Sequence, residues 1–168
     1  MLIAIDVHYR NDIAKTVSIE FTDWQSRTPL RVHTQELKGL AEYIPGQFYK
    51  RELPCLQSIL QESDLREAEA IIIDGYVVLD DEGKNGLGGY LYEALAGRIP
   101  VIGVAKKKFH QNEQQVIEVF RGESQKPLYV SSRGIDLEMA ADCIRNMYGE
   151  YRMPELLKLV DRLTKEEI

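Results

Sequence analysis

Apolar positions alternate and cluster along the first third of the chain in the way strands do. Leu2 to Tyr9, Thr16 to Thr22 and Leu30 to His33 each combine β-branched and aromatic residues, and the turn-prone stretches Arg10-Asn11-Asp12 and Ser26 to Pro29 separate them. The pattern predicts an antiparallel meander. From Arg51 to Gln61 the period changes: Leu53, Leu56, Ile59 and Leu60 recur at helical spacing, with Pro54 tolerable in a first turn.

Two short apolar runs follow, Ala70 to Asp74 and Pro100 to Ala105, with the profile of strands buried on both faces. Between them Gly86 to Ala96 places Leu87, Tyr90, Leu91, Ala94 and Leu95 on one helical face, so the three segments predict a strand, helix, strand unit. Val116 to Phe120 and Leu128 to Val130 are further strand candidates. Two helices close the chain, one capped by Asp136 with Leu137, Ala140, Ala141, Ile144 and Met147 inward, the other started by Pro154 with Leu156, Leu157, Val160 and Leu163 inward. The order of elements predicts an α/β fold: a ribonuclease H-like mixed sheet with helices on both faces, formed as a single domain over residues 1–168.

Composition narrows the picture. The 168 residues are 44% hydrophobic and 29% charged, ordinary globular proportions that give no support to a disordered or fibrous chain. No apolar stretch approaches the roughly 20 residues needed to cross a bilayer, and Met1 to Tyr9 lacks the cationic start of a signal peptide. Only two cysteines, Cys55 and Cys143, are present, which argues against a disulfide framework or a zinc site and fits a reducing cytoplasm. The net charge of −6 argues against coating nucleic acid by bulk positive charge, yet Lys106, Lys107 and Lys108 with His110, and Lys50 with Arg51, form local basic clusters.

Three carboxylates stand out within this frame. Asp6 interrupts Ile3-Ala4-Ile5-Asp6-Val7, where a buried charge requires a partner, a hydrogen bond or a cation, although it fits the solvent face of an alternating strand equally well. Asp74 ends a buried strand and is followed by glycine, at the position where open α/β sheets place ligands; an ordinary Asp-Gly turn is the bland alternative. Glu52, at the start of a helix, is explained by the helix dipole alone. Brought together, two acids from neighbouring strands and one from a helix make an oxygen-ligand site suited to Mg2+ or Mn2+, able to assist phosphodiester hydrolysis.

The residues also carry a family resemblance. Asp6-Val7-His8-Tyr9, Tyr43-Ile44-Pro45-Gly46, Arg51-Glu52-Leu53-Pro54, Asp74-Gly75, Gly86-Leu87, the run Ile99 to Lys106, and Arg152, Pro154, Glu155 and Asp161-Arg162-Leu163 occur in the order seen in endonuclease V, and the chain resembles a divergent member of that family. The resemblance implies a ribonuclease H-like fold and an Mg2+-dependent hydrolysis (Mn2+ substituting) of a phosphodiester 3′ of a deaminated base, inosine, in DNA or RNA. It assigns Asp6, Glu52 and Asp74 to the metal and adds Lys106 as a catalytic contact to the phosphate. Tyr43, Ile44, Pro45 and Gly46 become a wedge that separates bases while the target nucleotide flips, with Gly75 near the flipped base. Nucleic acid is the implied partner, with no membrane and no obligate protein partner.

The chain departs from the family pattern in places. Ser131-Ser132-Arg133-Gly134-Ile135-Asp136 stands where a glycine-histidine pair is usual, Tyr76 to Glu82 replaces a histidine-bearing segment, Lys50 replaces an aromatic residue, and the family's helix ahead of the first strand has no counterpart before Asp6. Asp136, Arg133 and His8 are the candidates to fill the missing histidine's place, with helix capping the plainer role for Asp136 and a structural role the plainer one for His8. The departures also keep open an inactive relative that only binds nucleic acid or protein, and an unrelated metal-dependent phosphohydrolase of small molecules.

Overall fold

The computed structural model describes residues 1–39 and 49–166; the wedge candidates Tyr43, Ile44, Pro45 and Gly46 lie outside them. Seven strands form one mixed sheet. β1 (Leu2–Arg10), β2 (Ile13–Phe21) and β3 (Arg31–Lys38) form the antiparallel meander, and α1 (Tyr49–Leu60) follows. β4 (Ala70–Asp74), α2 (Leu87–Ala94) and β5 (Val101–Ala105) make the strand, helix, strand unit. β6 (Ile117–Val119), β7 (Leu128–Arg133), α3 (Leu137–Arg145) and α4 (Glu155–Lys165) complete the chain. The sheet order is β3-β2-β1-β4-β5-β7-β6, with β1, β4 and β5 parallel at the centre.

Period-two alternation in the central strands builds a core on each face of the sheet. Leu2, Ala4, Ile72 and Val104 join Ala140, Ile144, Leu157 and Val160 under α3 and α4. Ile3, Ile5, Ile71 and Ile73 turn the other way and pack against Leu56, Ile59, Leu87 and Leu91 of α1 and α2. Burial on both faces explains why these strands read as continuous apolar runs. It also fixes register, because a one-residue slip would exchange the two cores.

Several boundaries differ from the sequence expectation: β2 begins at Ile13 and not Thr16, β7 runs on to Arg133, and β3 and α1 shift as well. β3 extends to Lys38, pairing Ile13↔Lys38 through Glu20↔Arg31. As an edge strand with several exposed residues it lacks the apolar alternation that would reveal its length. α1 starts at Tyr49, two residues early, so Pro54 lies inside the helix, where its missing N–H removes one backbone bond. At the start of α1, Tyr49 stacks on Tyr90 of α2 with ring centroids 3.9 Å apart.

The parallel register positions the functional end of the sheet. Leu2↔Ala70 through Ile5↔Ile73 are paired, so Asp6 and Asp74 are the next residues on adjacent strands. Asp74 pairs with Val104, and Lys106 follows two residues later. After Asp74 the chain turns at Gly75, whose N–H donates to the Val104 carbonyl at 3.0 Å. A Cβ on Gly103 would sit 2.5 Å from the Gly75 carbonyl oxygen, so only glycine lets β5 lie this close to the turn.

A single arginine holds the loop that leads into α4. Arg121 is only 5% exposed and has no carboxylate partner among the described residues. Its guanidinium donates instead to the backbone carbonyls of Arg145, Met147, Gly149, Tyr151 and Arg152, at 2.6 to 3.4 Å. Replacing it with methionine fills similar space but strands buried carbonyls, each worth about 1–3 kcal/mol when left unsatisfied. Arg121→Met is expected to lower the unfolding free energy by about 3 kcal/mol or more, measured by urea titration; a loss below about 1 kcal/mol would show that the loop holds without the clasp.

Candidate functional site

Asp6 sits where an apolar residue would otherwise complete the core of β1, and it is 9% exposed. Its Oδ1 accepts the Val7 N–H at 2.9 Å. Burial, then the neighbouring Asp74, and a hydrogen bond shared with the Asp161 side chain push its pKa up to about 8. In its protonated form Asp6 can donate to Asp161. Asp161 moves the opposite way: burial raises it, but Lys165, the Asp6 hydrogen bond and Lys106 outweigh that and lower its pKa. The Lys165 ammonium lies 3.1 Å from Asp161 Oδ2.

Glu52 approaches from the α1 side. Burial and the charge of Asp74 raise its pKa to about 7, against the opposing pull of Arg51, whose guanidinium is stacked on the Tyr9 ring at 3.8 Å. Asp74 is exposed by surface area yet is ringed by protein at the mouth of a cleft. Its pKa is also raised, through partial loss of hydration and the charge of Asp161, while Lys106 and Lys165 pull it down.

Two cavities meet at these acids. One of about 60 Å³ lies between Asp6, Glu52, Asp74, Leu56 and Leu87. The other, of about 280 Å³, opens on the α4 side, where Asp6, Asp74, Lys106 and Asp161 share its wall. The structure thus brings together Asp6, Glu52, Asp74 and Lys106, with Gly75 turning immediately behind Asp74 at φ +121°.

Three candidates lie elsewhere. His8 shares the Asp6 face by alternation but lines a separate cavity with Arg10, Lys15, Glu36 and Thr164. β7 runs antiparallel to β5, which carries Arg133 to the Val101 end, away from Lys106. There its guanidinium donates to the Gly83 carbonyl at 2.9 Å. Asp136 accepts the Met139 N–H at 3.2 Å as the cap of α3. Neither Arg133 nor Asp136 lines the two cavities that meet at the carboxylates.

Asp161, which the sequence marks only as part of the closing-helix motif, joins the site as a fourth acid. Its signal was available: it stands four residues after the buried Leu157, placing a carboxylate beside the apolar stripe of α4.

The donor set fits a hard cation. Asp6, Glu52 and Asp74 are carboxylates whose pKa values are raised by partial loss of hydration and by neighbouring carboxylates, and oxygen donors suit Mg2+ or Mn2+. Among the described residues no three such groups already stand close enough to grip an ion unaided. Burial and the neighbouring Asp74 favour the protonated form of Asp6, so a cation binding there would compete with its proton.

Comparison with known proteins identifies the family and the fold. Endonuclease V of Ignicoccus hospitalis is 23% identical over 175 residues, covering 96% of this chain and 79% of that protein. Endonuclease V of Trichormus variabilis is 29% identical over 140 residues, covering 72% of the chain and 62% of its own length. Among solved structures, Endonuclease V of Ciona intestinalis, in complex with a 24mer DNA containing an inosine followed by a ribo-adenosine, superposes with a TM-score of 0.80 at 19% identity. That match covers 98% of the chain and 84% of the Ciona protein, and confirms the ribonuclease H-like fold. The Endonuclease V family model matches residues 1–162, and the chain belongs to the Endonuclease V family.

Proposed function

We propose that this protein is an Mg2+-dependent endonuclease, with Mn2+ able to substitute, that hydrolyses a phosphodiester 3′ of a deaminated base, inosine, in DNA or RNA. The observation that carries the reading is the convergence of Asp6 and Asp74 from adjacent parallel strands with Glu52 from α1 and Lys106 from the end of β5. Family membership supports it, as does the inosine-containing DNA bound by the Ciona relative. The two free cysteines suit action in a reducing cytoplasm.

Asp6, Glu52 and Asp74 would hold the cation, with Asp161 next to Asp6 able to join them. A bound divalent cation there supplies polarisation of the phosphoryl oxygen and a lowered pKa for the attacking water. The chain's own groups do the rest. Lys106 faces Asp74 across the cavity and places positive charge where the phosphorane oxygens develop theirs. Asp161, ionised and bonded to Lys165, orients the Asp6 carboxyl, whose proton would pass to solvent when Asp6 binds the cation. Gly75 leaves open space at its Cβ position, allowing close approach of a base to the backbone, and Tyr43, Ile44, Pro45 and Gly46 supply the wedge.

Matched single- and double-stranded DNA and RNA, with and without inosine, test this directly. Mg2+-dependent cleavage next to inosine is expected from the wild type, and Asp74→Ala or Lys106→Ala is expected to reduce the rate about 100-fold or more. Cleavage untouched by Asp74→Ala would reject the site. Tight binding without cleavage would identify a nucleic-acid-binding relative that has lost its chemistry.

A second test needs no substrate. Asp6 has a folded pKa near 8 against an unfolded value of 3.8, so its contribution to stability is complete below pH 3.8 and is lost as pH rises through about 8. Asp6→Asn in metal-free buffer is therefore expected to melt several degrees above wild type at pH 9 and together with it at pH 3.5. Mg2+ at pH 8 should raise the wild-type Tm and leave that of the variant nearly unchanged. A variant less stable than wild type at pH 9 would show that the carboxylate is not a repelled, buried acid.

A further inference from the structure

We propose that the 280 Å³ cavity on the α4 side of the carboxylates is a subsite for one unpaired nucleobase flanking the deaminated one, with Tyr151 as its stacking surface. The inference rests on the nuclease reading above and adds a second point of base contact to it.

The cavity has the chemistry of a base site. Its floor is apolar, built from Ala4, Ile72, Val104, Leu157 and Val160, all buried in the core between the sheet and α4. Its volume is close to the lower end of small-molecule sites, about 300 Å³, which suits one ring system and no more. The rim carries Lys106, Arg152 and Lys158, cations for the phosphates on either side of a bound nucleoside. At the inner end the cavity is continuous with Asp6, Asp74 and Asp161, so a base held there lies beside the phosphate those acids would act on. On the α1 side of the same acids the cavity is about 60 Å³, too small for a base.

Tyr151 is the second observation. It is 64% exposed, an unusual state for a large aromatic residue beside an apolar cavity. The Lys158 ammonium lies 5.4 Å from its ring centroid. Its backbone is far from free: Arg121 holds the Tyr151 and Arg152 carbonyls, and the Arg152 guanidinium donates to the carbonyls of Pro127 and Lys106. An exposed ring on a clasped backbone is a preorganised stacking platform, the device by which single strands are held with little regard to sequence.

The test is binding of fluorescein-labelled single-stranded DNA containing one inosine, measured by anisotropy in Ca2+ and in EDTA. Each nucleotide flanking the inosine is replaced in turn by an abasic residue. Wild type is expected to lose about tenfold or more in Kd at one flanking position. Tyr151→Ala is expected to lose a similar factor on the intact strand and to be indifferent to base removal at that position, while Tyr151→Phe binds as wild type. Equal binding of the intact strand by Tyr151→Ala and wild type, or losses that simply multiply, would overturn the subsite and leave the nuclease reading standing. No binding of the inosine strand by wild type would overturn both.

Discussion

The structure turns on the crowding of carboxylates at the ends of adjacent parallel strands. Asp6 and Asp74 stand on neighbouring strands, Glu52 closes from one face and Asp161 from the other, in surroundings that remove much of their hydration. Their charges and partial burial push the pKa values of Asp6, Glu52 and Asp74 up, and Lys106 and Lys165 offset part of that strain. Such an arrangement costs stability unless something cationic resolves it. The remaining architecture serves to hold these groups in place against that cost.

The two cores achieve this by clamping β1, β4 and β5 from both sides. Ile3, Ile5, Ile71 and Ile73 lock the strands to α1 and α2, and Leu2, Ala4, Ile72 and Val104 lock them to α3 and α4. Register is then dictated by packing, and the acids follow as the first residues beyond the apolar runs. Gly103 allows the Asp74–Gly75 turn to close over β5. Arg121 does for the loop before α4 what the cores do for the strands, satisfying carbonyls that would otherwise be buried without partners.

Much of this was legible in the sequence, for identifiable reasons. The Ala70–Asp74 strand is bounded by its own hydrophobicity, and its end residue was read as functional because Asp-Gly closes the run. Asp136 announced itself as a cap and is one. What stayed hidden has physical causes. β3 is an edge strand with a polar exterior, so its last residues carry no periodic signal. Strand order depends on long-range pairing, which no local pattern encodes. Arg121 bonds only backbone carbonyls, leaving no partner residue to recognise. Arg133 is a candidate because its segment stands where the family has a glycine-histidine pair, but it ends β7, which is antiparallel to β5 and carries it to the Val101 end.

The central claim is that the clustered acids form a cation site whose occupation expels a proton. Calorimetric titration of Mg2+ into the metal-free protein at neutral pH, repeated in buffers of different ionisation enthalpy, measures that coupling directly. The account predicts saturable binding, release of protons on binding, and loss of both in Asp74→Asn. Absence of binding, or binding with no proton released, would contradict it.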